Sequence, residues 1–228
     1  VKLHAFMTDE QLAGPQFVGP TWDTWRVVAR LLDGDASLLL PPEVEIARKL
    51  TGRDVLPSVS PREFYCVAGR RSGKTTFAGL MAAHSLAQDY RARMRRGEQA
   101  LCACVAPTKD QADILWSRAR GIIAGIPMLE RQVIRETAST LEFAHGTRLE
   151  VSAASFRTTR GPTYCLCILD ECSYLRSDDS AEPDVEIARA IRPGLTTLRG
   201  RLVGISSPHM RQGLLWDQYT KHYGDARA

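Results

Sequence analysis

The residues most able to do chemistry sit in "AGRRSGKTT", Ala68 to Thr76, at the end of a block of β-prone residues. A lysine after glycine and before a hydroxyl is the phosphate-binding pattern G-x-x-x-x-G-K-[ST]. Here Ala68 stands at the first glycine, while Gly73, Lys74 and Thr75 hold their places. Such a loop works through backbone N–H groups that follow a strand, open a helix and point at an anion. Ala68, Gly69, Arg70, Arg71, Ser72, Gly73, Lys74, Thr75 and Thr76 are therefore the candidate nucleotide cradle. Alanine is the smallest departure from glycine, and Gly69 beside it keeps local backbone freedom. Lys74 supplies a point charge for the β- and γ-phosphates, and Thr75 a hydroxyl for Mg²⁺. The competing reading is a glycine turn with a solvated lysine.

A second group lies in "CLCILDEC", where apolar residues deliver Asp170 and Glu171 to the C-terminal end of a strand. Ligands of open α/β sheets bind at that end. Asp170 is placed to hold Mg²⁺ through its water shell, and Glu171 to orient and deprotonate an attacking water. A surface Asp-Glu turn is the alternative. An acid–base glutamate directly after the aspartate points to hydrolysis by a motor-type ATPase rather than to a kinase.

These groups need a sheet to hold them. "REFYCVAG" reads as a strand, followed by a long helix from Gly73 to Gly97. "QALCACVAP" is the next strand and "KDQADILWSRARGIIAG" the next helix. "TLEFAHGTRLEVSAAS" gives two short strands around His145-Gly146. "YCLCILDEC" is apolar on both faces, as a central parallel strand should be. An acidic loop over 176–186, a partly helical "VEIARAIRPGLTTL", the strand "GRLVGISSP" and a short helix around Leu214–His222 complete the series. Residues 1–20 read as an irregular arm, then a helix capped by Thr21 and closed by Gly34, then a short helix to Gly52. Strand and helix alternate without repeats, so the fold expected is α/β, a mostly parallel sheet with helices on both faces.

The chain of 228 residues, 44% hydrophobic and 25% charged, can bury a real core. Its net charge of +4 suits an acidic partner such as DNA without requiring one. "RARMRRGE", 91–98, sets four arginines at the expected helix end, either a solvated terminus or a DNA contact. No apolar run approaches the roughly 20 residues of a membrane span, and Val1 to Gly14 lack a signal-peptide pattern. The six cysteines include two C-x-C pairs inside strands, where residues i and i+2 share one face. That spacing is wrong for zinc, so they read as buried thiols.

Four stretches in order, "AGRRSGKT", "VAPTKDQA", "CILDEC" and "GISSP", resemble the ATPase domain of the large terminase subunit, the DNA-packaging motor of tailed bacteriophages. The resemblance implies a P-loop NTPase of the RecA/helicase-like kind with a small C-terminal lid-like subdomain. It implies ATP and Mg²⁺ as cofactors, and translocation of double-stranded DNA into a procapsid. Portal protein and small terminase subunit are the implied partners, with a homo-oligomeric ring when assembled and a monomer in isolation. The resemblance also implies no membrane partner, and a place in the host cytoplasm, transiently at the procapsid portal. By matching positions, Arg70 is the cis-acting arginine that senses the γ-phosphate, with Arg71 its neighbouring competitor, and Arg160 an arginine finger in trans. Ser206 and Ser207 match the segment that couples phosphate loss to movement. Residues 1–60 are expected to pack on a core over 61–208, with a lid or linker beginning at 209–228. The family's nuclease domain is expected downstream, outside this chain. A helicase-like DNA-remodelling ATPase and a non-hydrolysing nucleotide-dependent assembly module are the competing functions.

Overall fold

The computed structural model describes residues 1–154, 161–175 and 183–225. The chain divides into two compact units, Val1–Pro61 with Asp217–Ala228, and Arg62–Trp216. No helix among the described residues is long and apolar enough to cross a membrane.

In the first unit, α1 (Leu3–Thr8), α2 (Asp23–Asp33) and α3 (Pro41–Thr51) pack about Val27, Leu31, Leu39 and Ala47. The opening arm is thus partly helical. Its α1 has no side-chain cap of its own; the amides of Leu3 and His4 donate instead to the Asp33 carboxylate at the end of α2, at 2.9 and 2.8 Å. Such a cap, thirty residues away in sequence, leaves no local signal. Thr21 does not cap α2 either, because Pro20–Trp22 already form a 3₁₀ turn that leads into it. Trp25 is core, while Trp22 is half-buried with its ring edge-on to Phe17.

The second unit is one seven-stranded sheet in the order β1-β7-β6-β2-β5-β4-β3. Its strands are β1 (Glu63–Val67), β2 (Ala100–Ala106), β3 (Val133–Glu136), β4 (Thr140–Phe143), β5 (Thr147–Ala153), β6 (Thr163–Asp170) and β7 (Arg201–Ser206). Strands β1, β7, β6, β2 and β5 run parallel, and β4 and β3 close the far edge antiparallel. The apolar runs of β2 and β6 are buried along almost their whole length, as strands covered on both faces must be. Helices α4 (Lys74–Leu86) and α5 (Lys109–Ala124) pack against each other so closely that a Cβ on Gly79 would press on the Ala119 amide. The opposite face of the sheet is covered by α7 (Pro183–Ile191) and the start of α8 (Gly213–His222), around Leu101, Val105, Cys167, Leu169, Ile187 and Leu214. A short α6 (Pro127–Glu130) precedes β3. The α/β fold with helices on both faces is therefore as the sequence predicts.

Three local readings are corrected. Helix α4 stops at Leu86 rather than Gly97, because its last carbonyl is taken by His145 Nε2 at 2.8 Å and Thr147 Oγ1 at 3.2 Å. Arg91 and Arg93 accordingly lie on a separate 3₁₀ turn, with Arg95 and Arg96 just beyond it, not at a helix end. Strand β3, charged and exposed at the sheet edge, escapes a reading based on apolar alternation. Cys165 and Cys167 do not share a face: a bulge shifts the β2–β6 register there. Cys165 accepts from Ser85 of α4 at 3.3 Å, whereas Cys167 joins the core beneath α7. All six cysteines are free thiols, five of them buried and Cys66 half-buried.

Candidate active site

In a parallel sheet every strand delivers its last residues to the same edge, and three neighbours converge here. Strand β1 ends at Val67, paired with Ser206 of β7; the Ala68 amide then continues the ladder by donating to the Ser206 carbonyl at 3.0 Å. Ala68 keeps φ below zero, so its methyl meets no backbone penalty and glycine is not required. The left-handed positions of the loop are Arg71, φ 63°, and Gly73, φ 87°. Gly73 is the N-cap of α4, which places the helix N-terminus and the next residue, Lys74, at the strand ends.

Lys74 is only 6% exposed. Its Nζ lies 3.0 Å from Glu171 Oε1 and donates to Ser207 Oγ at 3.1 Å. Strand β6 ends at buried Asp170, and Glu171 then turns into the left-handed region, φ 47° and ψ 45°. Its Oε2 accepts the Ser206 hydroxyl at 3.0 Å and the Ser207 amide at 2.9 Å, while Oε1 takes the Ser207 hydroxyl at 3.4 Å. Asp170 Oδ1 accepts the Glu171 amide at 2.9 Å. Strand order β1-β7-β6 thus becomes a chain of contacts from Lys74 through Ser207 to Glu171.

The two carboxylates have opposite electrostatics. Burial, reinforced by the neighbouring Glu171 charge, lifts the Asp170 carboxyl to about 6 against the Glu171 amide and Lys74. Burial would also raise Glu171, but the Ser207 amide, Lys74 and the Ser206 hydroxyl together hold it below the usual carboxylate range. Burial pushes the Cys66 thiol up to about 11 despite Lys74, so it stays neutral. A carboxylate that resists ionisation in a buried setting is one a cation would stabilise. No group of three or more His, Cys, Asp or Glu among the described residues could cage a metal ion. Buried Asp170 and the half-buried Thr75 hydroxyl are of the oxygen type Mg²⁺ takes, an ion that uses one or two protein oxygens and completes its shell with water and phosphate.

The structure brings together Lys74, Glu171, Ser206 and Ser207, with Asp170 adjoining. Arg70 and Arg71 are exposed and form no ion pair among the described residues; Ser72 and Gly69 are exposed, and Thr76 is half-buried. Arg160 lies outside the described residues. Two features had no sequence signal. The Ser207 main-chain amide is a direct partner of Glu171, and the rings of Tyr174 and His209 stack at 4.3 Å just beyond the two site turns.

A strand, a glycine-capped helix N-terminus with a buried lysine, and an acidic strand end two strands away define the P-loop NTPase fold. Residues 65–182, slightly more than half of the chain, match the family described as terminase large subunit, T4likevirus-type, N-terminal. The chain belongs to that family. Among solved structures it is similar to the large terminase ATPase domain of Thermus phage P74-26, with 21% identity, a TM-score of 0.44, and 78% of this chain and 73% of that one covered. An arginine-to-alanine mutant of the same domain matches at 21% identity and TM-score 0.46, over 66% and 61% of the two chains. The large terminase of bacteriophage HK97 matches at 18% identity and TM-score 0.49, over 74% of this chain and 33% of that one. The chain thus spans 61% of the P74-26 mutant domain and a third of the HK97 protein. No curated protein matches it.

The raised Asp170 carboxyl predicts a stability change with a definite sign. Its folded value, about 6, exceeds its unfolded one, so stability is complete below pH 4 and declines as pH rises through 6. Asp170→Asn keeps the acceptor for the Glu171 amide without the charge. At pH 8 it is expected to exceed the wild type by on the order of 2–3 kcal/mol in urea unfolding, a gap that closes by pH 4. A gap independent of pH would contradict the assignment.

Proposed function

We propose that this chain is the ATP-hydrolysing motor domain of a terminase large subunit, driving double-stranded DNA into a procapsid. The observation that carries the reading is the Lys74–Glu171–Ser207 cluster at the ends of three adjacent strands. A lysine for phosphates and a carboxylate for water occupy one site, and each already holds the other. A phosphate that engages Lys74 competes with Glu171 for the same ammonium. Binding of a triphosphate would therefore release Glu171 Oε1 toward water while Ser206 and the Ser207 amide still hold Oε2. Losing the Lys74 counter-charge would raise the proton affinity of Glu171, which suits a group that aligns a water and takes its proton.

The loop amides from Gly69 to Thr75 and the Lys74 ammonium would take the phosphates, and Thr75 with Asp170 would hold Mg²⁺. The metal's contribution is to neutralise charge on the transferred phosphoryl group. Arg70, in the loop ahead of Lys74, is assigned to sensing the γ-phosphate, with Arg71 competing. Ser207 touches both Lys74 and Glu171, so a change at either reaches β7; this is the basis for assigning Ser206 and Ser207 to coupling. Arg160 is assigned to a neighbouring subunit's site as a finger, which requires a ring. Portal protein and small terminase subunit complete the proposed assembly, in the host cytoplasm.

Glu171→Gln should cut hydrolysis by about 10² or more, because a positioned base is worth that much. It should also bind ATP at least as tightly as wild type, since Lys74 loses its competitor. Lys74→Ala should weaken binding itself in a fluorescent-nucleotide titration. Near-normal phosphate release by Glu171→Gln would remove that residue as the base, and no release by the wild type would favour a non-hydrolysing assembly module. For the finger, Arg160→Ala and Glu171→Gln chains are each expected to be inactive but to recover activity when mixed. Failure to recover in mixtures that co-assemble by light scattering would refute action in trans.

A further inference from the structure

The parallel strands also gather their N-terminal ends, at the sheet edge opposite the phosphate loop. The turn that enters β7, Leu198 to Gly200, is the meeting point of three arginines from separate segments. Arg93 NH1 donates to the Leu198 carbonyl at 3.2 Å, and the Arg62 guanidinium donates to the Arg199 carbonyl. Arg199 itself takes φ 52°, with its side chain exposed. None of the three takes part in an ion pair among the described residues.

Glu98 accepts the Arg95 amide at 3.0 Å, and two other carboxylates are paired with other arginines. Glu63, next to Arg62, accepts two bonds from Arg192 at 2.8 and 3.0 Å and one from the Tyr65 hydroxyl at 2.6 Å. Asp89 is taken by Arg91 at 2.6 Å. Carbonyl oxygens orient Arg62 and Arg93 without neutralising them. Three like charges around one turn repel each other, a cost that a polyanion would remove. Exposed Arg95 and Arg96 extend the positive surface along the same 91–96 segment.

All the groups are guanidinium, whose fork matches phosphate oxygens in pairs, and Arg62 and Arg93 each have donors left after a carbonyl bond. A duplex strand presents one phosphate per ~3.4 Å of axial rise, so neighbouring arginines can engage successive phosphates. We infer that Arg62, Arg93 and Arg199 form a docking surface for the phosphate backbone of duplex DNA. This rests on the motor reading above and deepens it by naming where the DNA is held. Strand β7 joins this turn directly to Ser206, about 17–20 Å away at ~3.3 Å per residue, and so to Glu171.

The test is an equilibrium titration of a short fluorescent duplex of arbitrary sequence, without nucleotide, across a series of salt concentrations. The variant is the triple Arg62→Gln, Arg93→Gln, Arg199→Gly. Glutamine retains an amide donor for each carbonyl, and glycine suits the left-handed position, so the fold should survive; circular dichroism and an unchanged rate of ATP hydrolysis check it. Wild type is expected to bind with a linear dependence of log K on log salt. The triple variant should lose at least tenfold in affinity at low salt, with a slope shallower by about 2–3, since each phosphate contact contributes ~0.9. A folded triple variant with wild-type affinity and slope would overturn the assignment. So would salt-sensitive self-association, lost in the variant, with no duplex binding by the wild type, which would make a second copy the partner. A wild type that binds DNA through these arginines yet hydrolyses no ATP would sink the motor reading and leave the surface standing.

Discussion

A buried ammonium has few ways to exist, and Lys74 dictates much of what surrounds it. Deprived of water, it must be matched by an anion at hydrogen-bonding distance. Glu171 is that anion, and it reaches Lys74 only through a left-handed turn immediately after β6. Such a turn is strained for glutamate and persists because the Ser206 hydroxyl and Ser207 amide hold the carboxylate in place. Those two residues are in turn fixed by β7, which lies between β1 and β6 and pairs with both. The register of three strands is thus tied to one ion pair.

The same economy bears on function. Because Lys74 and Glu171 satisfy each other, neither is fully committed to a ligand, and a phosphate would exchange one counter-charge for another. Ser207 bonds both partners through a single hydroxyl, and its amide holds Glu171 independently of Lys74. Asp170 stands apart, buried and drawn toward its neutral form, so its charge is favoured only beside a cation. The proposed docking surface would give the exchange a mechanical counterpart: β7 runs from the turn that gathers those arginines to the serines that anchor Glu171.

The loop between β1 and α4 was legible in sequence because its requirements are local: a strand, a helix, and a glycine at the helix N-cap. Ala68 could stand for glycine because the left-handed positions fall at Arg71 and Gly73. The acidic strand end was legible for a similar reason, since an apolar run buried on both faces cannot deliver two carboxylates anywhere but its end. What escaped was set by distant partners. Asp33 caps α1, and His145 with Thr147 ends α4, across long stretches of chain. The bulge that sends Cys165 and Cys167 to opposite faces depends on pairing with β2. That Ser207 would hold Glu171 by its amide follows from strand order, which no local pattern encodes.

The direct test of the account is the titration of the Glu171 carboxyl itself, followed by carbon NMR in site-labelled protein. In wild type it should titrate below an ordinary glutamate. Replacing Lys74 by methionine, or adding a non-hydrolysable ATP analogue with Mg²⁺, should move it upward as its counter-charge is lost. A Glu171 titration that is the same with and without Lys74 would show that the ion pair does not govern the site, and the account would fail.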